Sequence, residues 1–249
     1  NRPNDKEFFD WNSCWLVHVV FRHKKARRSS DYTLGNGVMI GKKTILTAGH
    51  VARDIENGLK DNSYGIFILD GNGANFLQLP FRCVEFISSV DADIAVIRIG
   101  NNMADNILNR IFPKISDAEI KDSDIEKKLF LVGCFAFSDQ PKLYSGNITT
   151  KYKPRYLKDD EGRQTQVSCK VIGTTLTSFP GLSGSPVYTQ DGKLFGIQVS
   201  GIKFFSKTGE RVEQAESDKS TWDDFPYWTW VSPLYPYQKE IFKCLQQEN

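Results

Sequence analysis

Across most of the chain the apolar residues fall in short β-branched or aromatic runs bounded by Gly, Asn, Asp and Pro. This punctuation limits the fold more than any other feature. The runs CWLVHVVF (14–21), GVMIG (37–41), TILTAGHV (44–51), YGIFIL (64–69), LPFRCVEFI (79–87) and IAVIRI (94–99) read as strands at hairpin spacing. The pattern resumes with LFLVGCF (129–135), YSGNITTKY (144–152), QVSCKVI (166–172), SPVYT (185–189), LFGIQVSGIKFF (194–205) and YWTWVSP (227–233). Many short strands with turn residues between them predict an all-β protein of antiparallel barrels or sandwiches. The polar stretch 101–128 reads as the connection between two β units. In the tail, Tyr237, Ile241, Cys244 and Leu245 recur at helical spacing after two prolines, which predicts a C-terminal amphipathic helix. The expected division is a β unit over 1–110, a second over 111–232 and the helix over 233–249.

Composition narrows the partners. Hydrophobic residues make up 40% and charged residues 25% of 249 residues, the balance of a folded globular chain, and the net charge of +2 implies neither nucleic acid nor membrane. No apolar run approaches the roughly 20 residues that span a bilayer. The polar start, NRPNDKEFFD, shows no signal peptide, and without an initiator Met it reads as a mature form or an excised fragment. The five cysteines are scattered and odd in number, so they set neither a disulfide framework nor a compartment. Cys14, His18 and His23 suggest a metal site, but no paired cysteines complete four ligands and core positions are expected for them. The basic run RHKKARR (22–28) reads as a solvated loop. The polar stretch 206–224 reads as a surface loop or as a lid beside a pocket. Trp222, Trp228 and Trp230 read as packing residues.

All three histidines, His18, His23 and His50, precede the Gly/Ser stretch FPGLSGSPVY (179–188), which excludes the Ser–acid–His chain order of α/β-hydrolases. The order left is His, Asp, Ser. His50 closes a strand at a small-residue corner. Asp93 heads a buried-type strand, where a carboxylate is shielded from water and able to hold an imidazole through Nδ1–H. Asp91 competes and loses, because the apolar run starts directly after Asp93. In PGLSGSP the missing side chain at Gly181 lets the N–H groups of Gly181 and Ser183 converge on one point, as an oxyanion requires. Ser185 competes with Ser183 as nucleophile but begins the next strand.

TAGH, DIA and GLSGSP, in this order and at this spacing, resemble the chymotrypsin-like serine proteases, in the bacterial-type branch of V8/glutamyl endopeptidases, exfoliative toxins and HtrA-like proteases. The resemblance runs over nearly the whole chain. It implies two antiparallel six-stranded β-barrels with the active site in the cleft between them, and hydrolysis of a protein or peptide substrate with no cofactor and no metal. It assigns His50, Asp93 and Ser183 to catalysis, the N–H groups of Gly181 and Ser183 to the oxyanion, and Ser178, Gln198, Ser200 and Gly201 to a substrate pocket. Three departures bear on function. Leu182 stands where the animal branch has an acidic residue, so activation by its ion pair is not implied. Val51 replaces a disulfide cysteine. Gln198 replaces the His of glutamyl endopeptidases, which shifts the expected preference from strict glutamate to a polar or small residue at P1.

Overall fold

The computed structural model describes residues 18–23, 33–53, 64–69, 77–79, 81–87, 93–99, 112–134, 142–149, 153–158, 164–178, 181–201 and 229–247. The described chain is mostly β, with a short helical turn at 49–53 and a longer helix at its C-terminal end, as the run pattern predicts for the strands and the tail. β1 (His18–His23), β2 (Thr33–Met39), β3 (Thr44–Ala48), β4 (Tyr64–Leu69), β5 (Leu77–Leu79), β6 (Phe81–Ile87) and β7 (Ile94–Ile99) form one antiparallel sheet in the order β5-β4-β1-β2-β3-β7-β6. β8 (Lys128–Gly133), β9 (Lys142–Asn147), β10 (Lys153–Lys158), β11 (Gln164–Thr174), β12 (Pro186–Thr189), β13 (Leu194–Gly201) and β14 (Thr229–Pro233) form the second, in the order β10-β11-β14-β13-β12-β8-β9. Among the described residues each sheet therefore has seven strands, where six per barrel were expected. In the first, the short β5 adds to the outer edge of β4. In the second, the long β11 pairs with β10 along its first half and with β14 at its end. β10 had no sequence signal, because KPRYLK carries a proline and three charged residues; at the sheet edge such residues are tolerated and discourage further pairing.

Buried side chains tie both sheets into one core. β3 is buried at every position, Thr44 and Thr47 included, and β7 from Ile94 to Ile97, so both faces of each strand are covered over these residues. Val38, Leu46 and Val96 of the first sheet share a cluster with Phe130, Tyr188, Ile197 and Val199 of the second. A further cluster, around Leu131, Ile172, Leu182 and Val231, lies within the second sheet. The connection is less passive than its polarity suggests. Its end docks on β13, where Ile115 bridges Leu194 and the backbone bonds run from Ser116 N–H to Leu194 O at 2.8 Å and from Leu194 N–H to Lys114 O at 2.7 Å.

The C-terminal helix, Gln238–Gln246, buries Ile241 and Cys244 as its spacing predicts. Arg98 of β7 donates to Cys244 O at 2.8 Å and to Gln247 Oε1 at 2.6 Å, placing a cation at the negative end of the helix. Gln238 donates to Ser116 O at 2.6 Å and ties the helix start to the connection.

Candidate active site

The register of the first sheet explains how His50 meets Asp93. β3 and β7 pair up to Ala48 opposite Ile94, so the residues just past that pair, Gly49 and Asp93, face each other. Gly49 N–H donates to Asp93 O at 2.6 Å, and residues 49–53 turn helical. A Cβ at Gly49 would lie 3.0 Å from Asp93 Oδ1, so the missing side chain is what lets the corner close around the carboxylate. Asp93 takes a left-handed φ of 52°, a region that Asp enters more readily than most residues at a cost of about 1 kcal/mol. That turn aims its carboxylate back at the corner.

Asp93 is 2% exposed and its carboxylate is surrounded by donors. His50 donates its backbone N–H to Oδ1 at 2.8 Å and its ring Nδ1–H to Oδ2 at 2.8 Å. The Arg53 guanidinium reaches Oδ1 at 3.4 Å from three residues further along the same turn. Because an ionised carboxylate only accepts, the ring proton sits on Nδ1 and the neutral imidazole keeps a lone pair at Nε2. The imidazole is 36% exposed, so this lone pair stands at the edge of the core and not within it.

The loop 181–185 is organised through its backbone. Leu182 is fully buried in the second-sheet cluster, which anchors the loop by an apolar side chain where the animal branch has an acid. Gly181 and Gly184 have φ of 90° and 84°. Only glycine holds such values at little cost. The carbonyl of Leu182 accepts from Ser185 N–H at 3.0 Å, and that of Ser183 accepts from Asn36 N–H at 2.7 Å. Gly184 N–H donates to Gln198 O at 2.8 Å, and Gln198 N–H returns a bond to Ser185 O at 3.0 Å. Among the described residues, the N–H groups of Gly181, Leu182 and Ser183 donate to no partner. The donors of Gly184 and Ser185 are thus taken, while those of Gly181, Leu182 and Ser183 stay open among the described residues.

The two halves meet at Gly35. A Cβ there would stand 2.6 Å from Val51 Cγ2 and 2.8 Å from Ser183 O, so the residue after His50 and the carbonyl of Ser183 flank the same bare backbone. No hydrogen bond joins His50 to Ser183 among the described residues.

Of the expected pocket residues, Ser178 and Gln198 come together. Gln198 is 1% exposed, and its Nε2 lies 3.4 Å from Ser178 Oγ and 3.2 Å from Thr229 Oγ1. Ser200 and Gly201 follow on β13 after a register shift, paired with Trp230 and Thr229, and their side chains lie outside the described residues. Thr229 joins this uncharged group without having been expected, as Arg53 and Asn36 join the other half. The helical spacing of Arg53 from His50 was the available signal for the former. Ser185 is buried and lies one residue before β12 rather than in it. Among the described residues no cluster of His, Cys, Asp and Glu has metal-binding geometry. The side chains of Cys14, His18, His23, Asp91, Trp222 and Trp228, the basic run 24–28 and the stretch 206–224 lie outside the described residues.

Residues 35–197 match the trypsin-like peptidase domain family. No curated protein matches the chain. Among solved structures, the chain is similar to the MamO protease domain from Magnetospirillum magneticum, with 12% identity and a TM-score of 0.61 over 93% of this chain and 98% of that one. It is also similar to the active form of the Rv3671c protease from M. tuberculosis, with 14% identity and a TM-score of 0.57 over 88% and 77% of the two chains. Deg5 aligns with 16% identity and a TM-score of 0.54 over 79% and 84%. At these identities the likeness is one of fold.

Proposed function

The chain belongs to the trypsin-like peptidase family, and from that premise we propose that it is a serine endopeptidase working through His50, Asp93 and Ser183. The observation that carries the reading is the His50–Asp93 pair, a buried carboxylate bonded at 2.8 Å to the imidazole Nδ1 so that Nε2 is left as a base. Ser183 Oγ attacks the scissile carbonyl as its proton passes to His50 Nε2. Asp93 stabilises the imidazolium, and the N–H groups of Gly181 and Ser183 receive the oxyanion. His50 then gives the proton to the departing amine, and water releases the acyl group by the same steps. The unit 1–110 supplies base and acid, and the unit 111–232 supplies the nucleophile. Ser178, Gln198, Ser200 and Gly201 line the pocket for a polar or small P1 residue, since the described members are uncharged hydrogen-bonding groups; cleavage profiling on a peptide library tests this, and dominant Arg/Lys or aromatic preference overturns it.

A second reading, a catalytically latent or narrowly specific protease awaiting a partner, is favoured by the absence of a hydrogen bond between His50 and Ser183 among the described residues. Catalytic bonds are often loose before substrate arrives, so this does not displace the first reading. Intact-mass spectrometry after fluorophosphonate treatment separates the two. A single adduct on Ser183, absent in Ser183→Ala, is the expected result, with about a million-fold loss of kcat in that variant. No adduct on the intact chain selects the latent reading.

A further inference from the structure

Asn36 lies on β2 between Gly35 and Gly37 and is fully buried, yet its side chain bonds to the other half of the molecule. Its Oδ1 accepts from Cys134 N–H at 2.9 Å, and its Nδ2 donates to Cys134 O at 2.9 Å and to Gly181 O at 2.6 Å. The orientation of the amide is forced, because a backbone N–H faces one end and two carbonyls face the other. The backbone of the same residue donates to Ser183 O at 2.7 Å and accepts from Thr47 Oγ1 at 2.6 Å. Thr47 lies on β3, three residues before His50. One residue therefore holds the carbonyls on either side of Leu182, while Leu182 O is taken by Ser185 N–H.

In a trans peptide the N–H opposes the C=O. Each carbonyl therefore sets the N–H of the next residue, and the Leu182 carbonyl, held by Ser185 N–H, sets the Ser183 N–H. Asn36 fixes the Gly181 and Ser183 carbonyls in the peptides on either side, so that the Leu182–Ser183 peptide cannot rotate alone, while Gly181, with no Cβ, has little rotational restraint of its own. We propose that Asn36 is the positioning residue of the oxyanion-binding loop, its side-chain amide and backbone N–H clamping the Gly181 and Ser183 carbonyls from the His50 side of the site. The inference rests on the assignment of the Gly181 and Ser183 N–H groups to the oxyanion. It makes the order of the loop a property of the contact between the two sheets.

Asn36→Ala removes the amide. Asn36→Asp keeps an acceptor for Cys134 N–H, removes both donors and sets a carboxylate against Gly181 O. Both are to be compared with Val96→Ala, a core variant chosen to lower Tm without touching the loop. In the full chain, kcat for a peptide substrate falls roughly ten- to a hundredfold in both Asn36 variants with KM changed less than about threefold, as expected for misaligned transition-state donors. Hydrogen exchange at the Gly184 and Ser185 amides speeds up at least about tenfold at the same time. Val96→Ala loses Tm and keeps kcat. Wild-type kcat and unchanged exchange in either Asn36 variant overturn the clamp, as does a rise in KM alone. If Asn36→Ala does not fold, Asn36→Asp decides. If the wild-type chain neither turns over substrate nor takes the fluorophosphonate, the proposed function fails, and amide exchange alone decides whether Asn36 holds the loop.

Discussion

On the proposed reading, the acid–base half of the site and the nucleophile half are held in place by different chemistry. At His50 and Asp93 the geometry comes from side chains: a buried carboxylate gathers the His50 backbone N–H, the imidazole and the Arg53 guanidinium. At Ser183 it comes from the backbone, through two glycines at positive φ and carbonyls bonded to Asn36 and Ser185. A site made of charge can lose function while its fold survives. One made of bare backbone cannot be altered without disturbing the chain around it.

Asp93→Asn makes the sharpest cut between the two. The amide is of the same size, but it favours the wrong imidazole tautomer and no longer stabilises the imidazolium. The expected loss is about 10⁴-fold in kcat. Arg53 is 40% exposed and pairs weakly, so its loss of a partner adds little, and Tm should move by only a few degrees. A collapse of Tm comparable with the loss of kcat would show that the carboxylate holds the fold as well, and the contrast between the halves would break.

Gly184→Ala tests the other side. Its φ of 84° disfavours any side chain, and a Cβ would strike Asn36 O and Thr47 Oγ1. Strain together with a backbone clash at the junction of the sheets should cost roughly 3 kcal/mol or more, about 10 °C in Tm for a chain of this size. Thermal unfolding and turnover measured together should fall together. Full retention of Tm with lost activity would mean that this loop too is set by local chemistry alone.

The same contrast governs what was legible before the structure. His50, Asp93 and Ser183 stood out because each sits in a short motif whose residue types have a chemical reason to occur in that order. The strands followed from apolar runs such as Ile94 to Ile97, whose two faces are both buried. Asn36 gave no such signal. An Asn flanked by glycines reads as a turn, and its partners, Cys134 and Gly181, are 98 and 145 residues away. β10 stayed hidden because edge strands are selected against the apolar pattern by which strands are found. Gly35 likewise gains its meaning only from the Val51 and Ser183 atoms packed against it.

The smallest expected effect extends the comparison to pH. Tyr144 on β9 is a titrating group of the second sheet, pushed up to about 12 from 10.0 by burial and then by the nearby Cys134 thiolate. A raised value means that folding favours the neutral phenol, so its contribution is complete below pH 10 and is lost as pH rises towards 12. Two full units correspond to about 2.7 kcal/mol, and half-exposure reduces this to about 1 kcal/mol. Urea unfolding of the wild type and of Tyr144→Phe between pH 9 and 12 should therefore diverge, with the wild type losing stability faster. Tyr144→Phe removes the phenol together with its repulsion of Cys134, so the difference reports the two as a unit. Parallel curves would mean that Tyr144 ionises as it does in water. The backbone-built half would then have no alkaline weakness at this position.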